Sequence, residues 1–527
     1  MKLLKHIYLL SAVALASCSS YLEEFSQDQY RVSSYTDLDE LLIGDCYYPV
    51  KPSSILTSGG SMGGFIHFIA DEIEEQNGGT VSQTVFDLKP KLFGQFTWQQ
   101  RVGVNENSTA FSAENETWTE TYRLINVANS IIAAAPKLPK ATPAESLGAS
   151  RIEGEARFLR AAYYFWLVNL YGKPYSAATA AADLGVPLKL QEEVLDILYG
   201  RNTVQEVYDQ IIADLEAAEE LLANTGQQKS IYRADQTAVR FLLSRVHLYM
   251  QHWEEAVAYT DQVIAVKSAL TDLNGSTEAF LRRESVESIF SMGGNDVFRN
   301  MNNSVQSFRV SRELFDSYNV DDLRRTRWYW SMGDFVGYTK TPPIGTGTVV
   351  APTNINYYNN QYFVSGTSVY LSPVSDKFLF RTAEMYLNKA EAEAYLGREE
   401  NARTAVNLLR SFRYRAGANQ QVTASGTDLI RLIREERRRE LALEGHRWFD
   451  LRRYGVNEIL PESKRITHDY TFYTARVSNT RRERRRYVLE ANDPAYTLAI
   501  PQSVIEFNAG MPNNERPVRT FTVVPHN

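Results

Sequence analysis

Residues 381–409 read RTAEMYLNKAEAEAYLGREENARTAVNLL. Apolar and small residues recur there at three- and four-residue intervals, the period of one helix face. Ala394-Tyr395-Leu396-Gly397 closes a first helix, and Ala402, Ala405 and Leu409 line a second. Alanine and glycine let two helices approach closely, and tyrosine fills the gap between them. The stretch predicts a helical hairpin, Arg381–Leu396 followed by Ala402–Tyr414. The same grammar recurs upstream, where Tyr249 closes one helix and Trp253, Ala256 and Thr260 begin the next. Other stripes at helical spacing are Trp118, Tyr122, Ile125, Ala128, Asn129 and Ile132, then Ala156, Leu159, Tyr163, Leu167 and Leu170, stopped by Gly172 and Pro174. Val207, Ile211, Leu215 and Leu222 form another, and a further helix is expected over Thr427–Glu444. Paired helices of this kind predict a mostly α protein on a tetratricopeptide-like hairpin scaffold, mainly residues 110–267 and 375–455.

The remainder lacks that period. Residues 45–110 and 268–375 hold turn residues, polar aromatic tracts and short β-like runs such as Glu287-Ser288-Ile289-Phe290, and residues 456–527 read as loop-rich. Ser53–Gly64 is a loop by its glycine and serine content. A short helix over Thr36–Ile43 starts on a capping signal, Thr36 with Asp39 three residues on.

The chain opens MKLLKHIYLLSAVALASC. Lys2 and Lys5 precede an apolar run, Ile7–Ala16, and small residues lead to Cys18. This is the anatomy of a secretory signal, and with cysteine at the cleavage point it resembles a bacterial lipoprotein signal. Residues 1–17 are then removed and Cys18 carries the acyl chains; two chains already anchor stably, at about 0.8 kcal/mol per buried methylene. The run is too short to span a bilayer, which takes roughly 20 apolar residues.

The 527 residues are 44% hydrophobic and 23% charged, an ordinary globular balance. Net charge is −7, and loss of Lys2 and Lys5 with the signal makes it −9. An acidic chain is a poor nucleic-acid binder, because phosphate binding draws on clustered Lys and Arg. With only Cys18 and Cys46, no disulfide framework or cysteine zinc site is expected. Aromatics reach 12%, with 31 Tyr, 24 Phe and 7 Trp, more than a core of Leu and Ala needs.

Catalytic motifs are weak. Gly59-Gly60-Ser61-Met62-Gly63 matches G-x-S-x-G, but a nucleophile elbow lies between a strand and a helix of an α/β sheet, which this chain does not show. Asp71, Glu72, Glu74 and Glu75 cluster, as a glycosidase pair would, yet sequence fixes no separation between carboxylates. The seven His are scattered and no metal site is indicated. Arg434–Glu440 is a charged helix with pairs such as Glu435–Arg439 and Glu436–Arg439; Arg481–Arg486 is more purely basic and reads as a solvated turn or internal ion pairing. The aromatic tracts carry more. Trp328, Tyr329 and Trp330 follow one another, Tyr357 and Tyr358 interleave with amides, and Trp98 lies in another irregular section. Rings can cover the apolar face of a sugar while Asn, Gln, Asp and Arg bind its hydroxyls; the same rings could equally fill the core of an irregular subdomain. The candidate ligand residues are Trp98, Trp328, Tyr329, Trp330, Tyr357, Tyr358 and Asp71.

Leu441-Ala442-Leu443-Glu444-Gly445-His446-Arg447-Trp448-Phe449-Asp450-Leu451-Arg452-Arg453 resembles the C-terminal hallmark of the SusD/RagB family. Arg381–Leu387 with Lys389–Ala392 resembles its R-x-A-E-x-Y-L helix, Gly154–Ala161 with Leu170-Tyr171-Gly172 its early signature, and Ile500-Pro501-Gln502 with Asn513-Asn514 its closing segment. The resemblance implies an outer-membrane lipoprotein of Bacteroidetes facing outward, four tetratricopeptide-like repeats, and a loop-rich face that binds oligosaccharide or, in some members, peptide. It implies a TonB-dependent (SusC-like) transporter as partner, the protein acting as its hinged lid without enzymatic activity or cofactor. Glu23-Glu24 faintly resembles the acidic export tag of such lipoproteins. A peptide-binding import protein, a repeat-based interaction scaffold and a glycosidase remain the competing readings. The dense arginines between Thr467 and Tyr487 depart from the family pattern, and Cys46 has no role in it.

Overall fold

The computed structural model describes residues 34–48, 62–76, 83–107, 113–193, 195–228, 230–275, 280–294, 297, 307–340, 355–356, 361–364, 367–370, 374–473 and 481–526. Its helices in chain order are α1 Tyr35–Leu41, α2 Gln83–Phe96, α3 Ala113–Ala134, α4 Pro143–Tyr171, α5 Val204–Leu222, α6 Gln236–Met250 and α7 Trp253–Val266. After them come α8 Arg312–Asp316, α9 Arg324–Arg327, α10 Thr382–Tyr395, α11 Glu399–Ser411, α12 Gly426–Glu440, α13 Arg447–Gly455 and α14 Gln502–Phe507. Neighbours pack in sequence: α3 on α4, α4 on α5, α5 on α6, α6 on α7, then α7 on α10, and α10 on both α11 and α12. This is the mostly α, hairpin-by-hairpin scaffold the stripes predict.

Each hairpin has a local cause. Between α6 and α7, Gln251 takes a left-handed conformation (φ 64°), and between α10 and α11 Gly397 does the same (φ 73°). Small and hydroxylic residues then let the helices meet. Ser244 Oγ lies 2.7 Å from Thr260 Oγ1, and Asn388 Nδ2 donates to Ser244 Oγ at 3.1 Å, tying α6, α7 and α10 together. Trp253 packs on Tyr395 with ring centroids 4.4 Å apart.

Three sequence expectations shift. The first helix is capped by Ser34, not Thr36: Ser34 Oγ accepts from Asp37 N–H and the Asp37 carboxylate accepts from Ser34 N–H. The region expected to be irregular before residue 110 contains the 14-residue helix α2, with Pro90 inside it. Finally, α12 stops at Glu440, four residues early, because Leu443 (φ 59°) and Gly445 (φ 78°) turn the chain left-handedly.

The strands are β1 Ile73–Glu75, β2 Ser288–Ser291, β3 Phe308–Val310, β4 Tyr329–Met332, β5 Phe335–Tyr338, β6 Ile355–Asn356, β7 Gln361–Val364, β8 Thr367–Tyr370, β9 Leu379–Arg381, β10 Ile466–Tyr473, β11 Arg481–Leu489 and β12 Phe521–Val524. All pairings are antiparallel: β1 with β3, β2 with β9, β4 with β5, and two three-stranded sheets, β6-β7-β8 and β10-β11-β12. The last corrects the loop-rich expectation for the C-terminal segment. Ile466, His468, Tyr470 and Phe472 alternate inward on β10, and the arginine run is its partner strand. Asp469 faces Arg486 in register and accepts from both Arg484 (2.8 Å) and Arg486 (2.8 Å), while the Arg485 guanidinium lies over the Phe521 ring at 4.0 Å. Opposite charges across a strand pair stabilise it, where like charges would oppose it.

The charged helix α12 is mostly interior. Arg381 donates to Glu444 (2.8 Å) and Glu440 (2.7 Å), Arg413 to Glu440 and Glu287 (2.7 Å), and Arg324 to Asp322 (2.7 Å) and Glu440 (2.8 Å), all fully buried. Lys340 completes the cluster on Glu444. Glu436 pairs with Arg439 as expected (2.8 Å), whereas Glu435 meets Arg438 at 3.7 Å. The family-like motif residues thus weld the hairpins to the strands β2 and β9.

Candidate functional site

Two of the candidate ligand residues sit at the start of the irregular portion. Trp98, 1% exposed and left-handed (φ 52°), stacks on His468 (centroids 4.4 Å, 23°) and donates its indole N–H to Ile69 O at 2.9 Å. Phe96 stacks on the other side of the imidazole at 4.1 Å. Asp71 takes a bidentate grip from Arg447 (2.7 and 2.9 Å), a hydrogen bond from Lys464 (2.6 Å) and an ion pair with Arg438 (3.0 Å). Burial alone would raise its pKa; Arg438, Arg447 and Lys464 together hold it well below the usual carboxylate range. Both residues have their polar groups committed inside the fold. Trp98 and Asp71 lie in the interior, where they join the 62–76 segment to β10 and α13.

The segment 62–76 is buried almost throughout, although it reads as loop. Its backbone is satisfied by side chains: Tyr48 hydroxyl accepts from Met62 N–H and Thr117 hydroxyl from Gly63 N–H, each at 2.9 Å. Gly63 has φ 69°, and a Cβ there would meet the Trp166 ring at 2.2 Å. The glycine answers to packing against Trp166.

The tract Trp328-Tyr329-Trp330 runs from the end of α9 into β4. Trp328 is fully buried, tilted against Phe280 (4.7 Å) with Lys340 Nζ 4.0 Å above its ring. The Tyr329 hydroxyl lies 2.8 Å from that of Tyr318, and burial raises the pKa of both phenols. Trp328 and Tyr329 both lie in the interior. Trp330 points the other way, as alternate residues on a strand do, and is half-buried. Its ring packs on Phe335 (4.9 Å) and lies across Gly337, where a Cβ would come within 2.2 Å of the indole nitrogen. The hairpin tip, Gly333 (φ 58°) and Asp334, is braced from outside: Arg309 Nη1 donates to Asp334 O (2.6 Å) and Arg312 Nη2 to its carbonyl (3.2 Å). Arg309 also pairs with Glu74 at 2.6 Å. Trp330 is then an accessible ring with two guanidinium groups and two carboxylates around the tip beside it. Arg309, Arg312 and Asp334 gave no sequence signal, since they meet only through β-pairing. Tyr357, Tyr358 and Cys18 lie outside the described residues.

No group of His, Cys, Asp and Glu able to hold a metal occurs among the described residues. Cys46 is buried and free, and burial pushes its thiol pKa up, which makes it inert.

The SusD family matches residues 287–516, and a family described as starch-binding, associating with the outer membrane, matches residues 62–248. The chain belongs to the SusD/RagB family. It is 28% identical over 404 residues to SusD-like protein P38 of Formosa agariphila (66% of this chain, 74% of that protein), and 23% identical over 410 residues to a SusD-like protein of Bacteroides ovatus (69% and 68%). Its fold matches a SusD superfamily protein of Bacteroides thetaiotaomicron with TM-score 0.63 at 20% identity, covering 92% of this chain and 100% of that one. A SusD-like carbohydrate binding protein of Bacteroides vulgatus matches with TM-score 0.63 at 19% identity, covering 92% and 98%. No described helix is long and apolar enough to cross a membrane.

Proposed function

We propose that this protein is a surface lipoprotein, anchored through acylated Cys18, that binds oligosaccharide and delivers it to a TonB-dependent outer-membrane transporter on which it closes as a lid. It works by binding alone, with no catalytic step and no cofactor. The carrying observation is Trp330: an indole left half-open on a hairpin whose tip is surrounded by Arg309, Arg312 and Asp334, in a chain of a starch-binding, outer-membrane-associated family. A ring of this kind covers the C–H face of a sugar, and the polar groups meet its hydroxyls. Tyr357 and Tyr358 are further candidate glycan contacts.

Calorimetry with a panel of oligosaccharides and peptides tests the reading. Trp330→Ala should weaken the bound glycan at least about tenfold, in line with one lost stacking contact in a pocket. Glycan binding untouched by this change removes the hairpin from the site, and a protein that binds only peptides overturns the glycan assignment. For the anchor, Cys18→Ala should fold and bind normally yet fail to support uptake in cells; wild-type uptake would reduce the lipid to an address. Release of reducing sugar from polysaccharide by the pure protein would overturn the non-enzymatic reading.

A further inference from the structure

A groove of about 420 Å³ opens between the turn after α4, the end of α13 and the C-terminal loops, within the size range of small-ligand sites. Pro174, Leu451, Val456 and the edge of Tyr496 give it apolar walls, and Ser463, Asn492 and Thr497 supply hydroxyl and amide groups. Its floor holds Arg452, which is 4% exposed. That guanidinium donates to the carbonyls of Asn169 and Gly172 and to Thr497 Oγ1 (3.2 Å), and its Nε–H has no partner. Behind Thr497 lies Arg516, also 4% exposed, bonded to the carbonyls of Ala495 and Thr497 at 3.0 Å, its Nε–H likewise without a partner.

These two arginines break the rule the rest of the interior keeps. Arg324, Arg381, Arg413, Arg437, Arg447 and Arg453 each meet a carboxylate. Arg452 and Arg516 meet only neutral oxygens among the described residues. The carboxylates nearby do not make up the deficit: Asp493 is held by Arg519 at 2.7 Å, and Glu515 is on the exposed rim, where Lys173, itself paired with Asp183 (2.7 Å), also stands. Burying a cation without an anion is unfavourable, and burial accordingly lowers the pKa of Arg452 to about 10 and, with Arg519 adding repulsion, that of Arg516 to about 9. An anion in the groove would offset that cost.

We propose that this groove is a second binding site, separate from the Trp330 hairpin, for a sugar bearing a carboxylate. The uncompensated guanidinium floor selects the charge, and the apolar walls with hydroxyl and amide groups suit a sugar ring. The mature chain titrated by calorimetry with sodium glucuronate, glucose and N-acetylalanine tests it. Glucuronate should bind saturably and the other two at least about tenfold more weakly. Arg452→Gln should weaken glucuronate by a similar factor. Because that change also removes bonds to α4, a second variant fills the groove without touching an arginine: Gly455→Phe, at a position where a Cβ meets only Ser463 Cβ, 3.9 Å away. It should melt like the wild type and lose glucuronate, while Trp330→Ala retains it. No glucuronate binding, binding indifferent to Gly455→Phe, or equal binding of N-acetylalanine would each overturn the proposal.

Discussion

Asp71 and Glu72 are neighbours with opposite fates. Asp71 is clamped by three cations. Glu72, 2% exposed, accepts one backbone bond, from Leu443 N–H at 3.0 Å, and burial lifts its pKa to about 8. An acid whose pKa is raised on folding holds its proton in the native state while the unfolded chain releases it. Stability from Glu72 is therefore complete below its unfolded value of 4.5 and declines as pH rises toward 8. Glu72→Gln keeps an acceptor for Leu443 and removes the proton, so the melting temperature of the variant should fall less than that of the wild type between pH 5 and 8.5, as read by scanning calorimetry at several pH values. The tryptophans make the other residue-scale test. Trp328→Ala empties a fully buried site and should cost about 3–5 kcal/mol, whereas Trp330→Ala should cost far less in denaturant unfolding while carrying the binding defect. Equal destabilisation would mean that Trp330 is core as well. Before folding, the three rings of that tract are indistinguishable; the end of α9 buries Trp328, and alternation on β4 sets Tyr329 and Trp330 on opposite faces.

At the level of elements, the hairpin turns were legible and the sheet was not. Gly397 reads as a helix terminator and is one, at φ 73° with open space around it. Gly397→Ala should then cost about 1–2 kcal/mol through backbone conformation alone, visible as a lower melting temperature without change in ligand affinity. The arginines of β11 look like a solvated run because charge masks the alternation of Arg485, Tyr487 and Leu489, which face Tyr470, His468 and Ile466. Their anion, Asp469, is a dozen or more residues away and becomes a neighbour only by antiparallel pairing. Asp469→Asn leaves Arg484 and Arg486 side by side without it, and should loosen the C-terminal sheet, detectable as faster amide exchange in β10 and β11 before global unfolding.

Across the whole molecule, one interior charge network links α9, α10, α12 and strands β2 and β9. Burial by itself would raise the pKa of Glu440, but Arg413, Arg381 and Arg324 hold it below its ordinary value, and Arg381 and Lys340 do the same for Glu444. Carboxylates lowered on folding contribute stability above their unfolded pKa of 4.5, and it drains away as pH falls below that. The protein should accordingly lose stability steeply from pH 5 to pH 3. Arg381→Met strands Glu440, Glu444 and Glu287 and should cost about 3–5 kcal/mol at pH 7, with the gap to the wild type narrowing in acid as those carboxyls take up protons. A constant gap across pH would remove the network from the acid response.

The sequence by itself determined the helical-hairpin scaffold and the family, because both depend on local periodicity and on short motifs within single helices. It also singled out the aromatic tract that holds Trp330, the ring on which the proposed glycan contact rests. Only tertiary structure decided which carboxylates and arginines are paired, which rings are buried, and where two arginines are left without an anion. Those outcomes depend on contacts between residues hundreds of positions apart, such as Asp71 with Arg447 or Arg452 with Asn169 and Gly172, and no local pattern in the chain encodes a partner that distant.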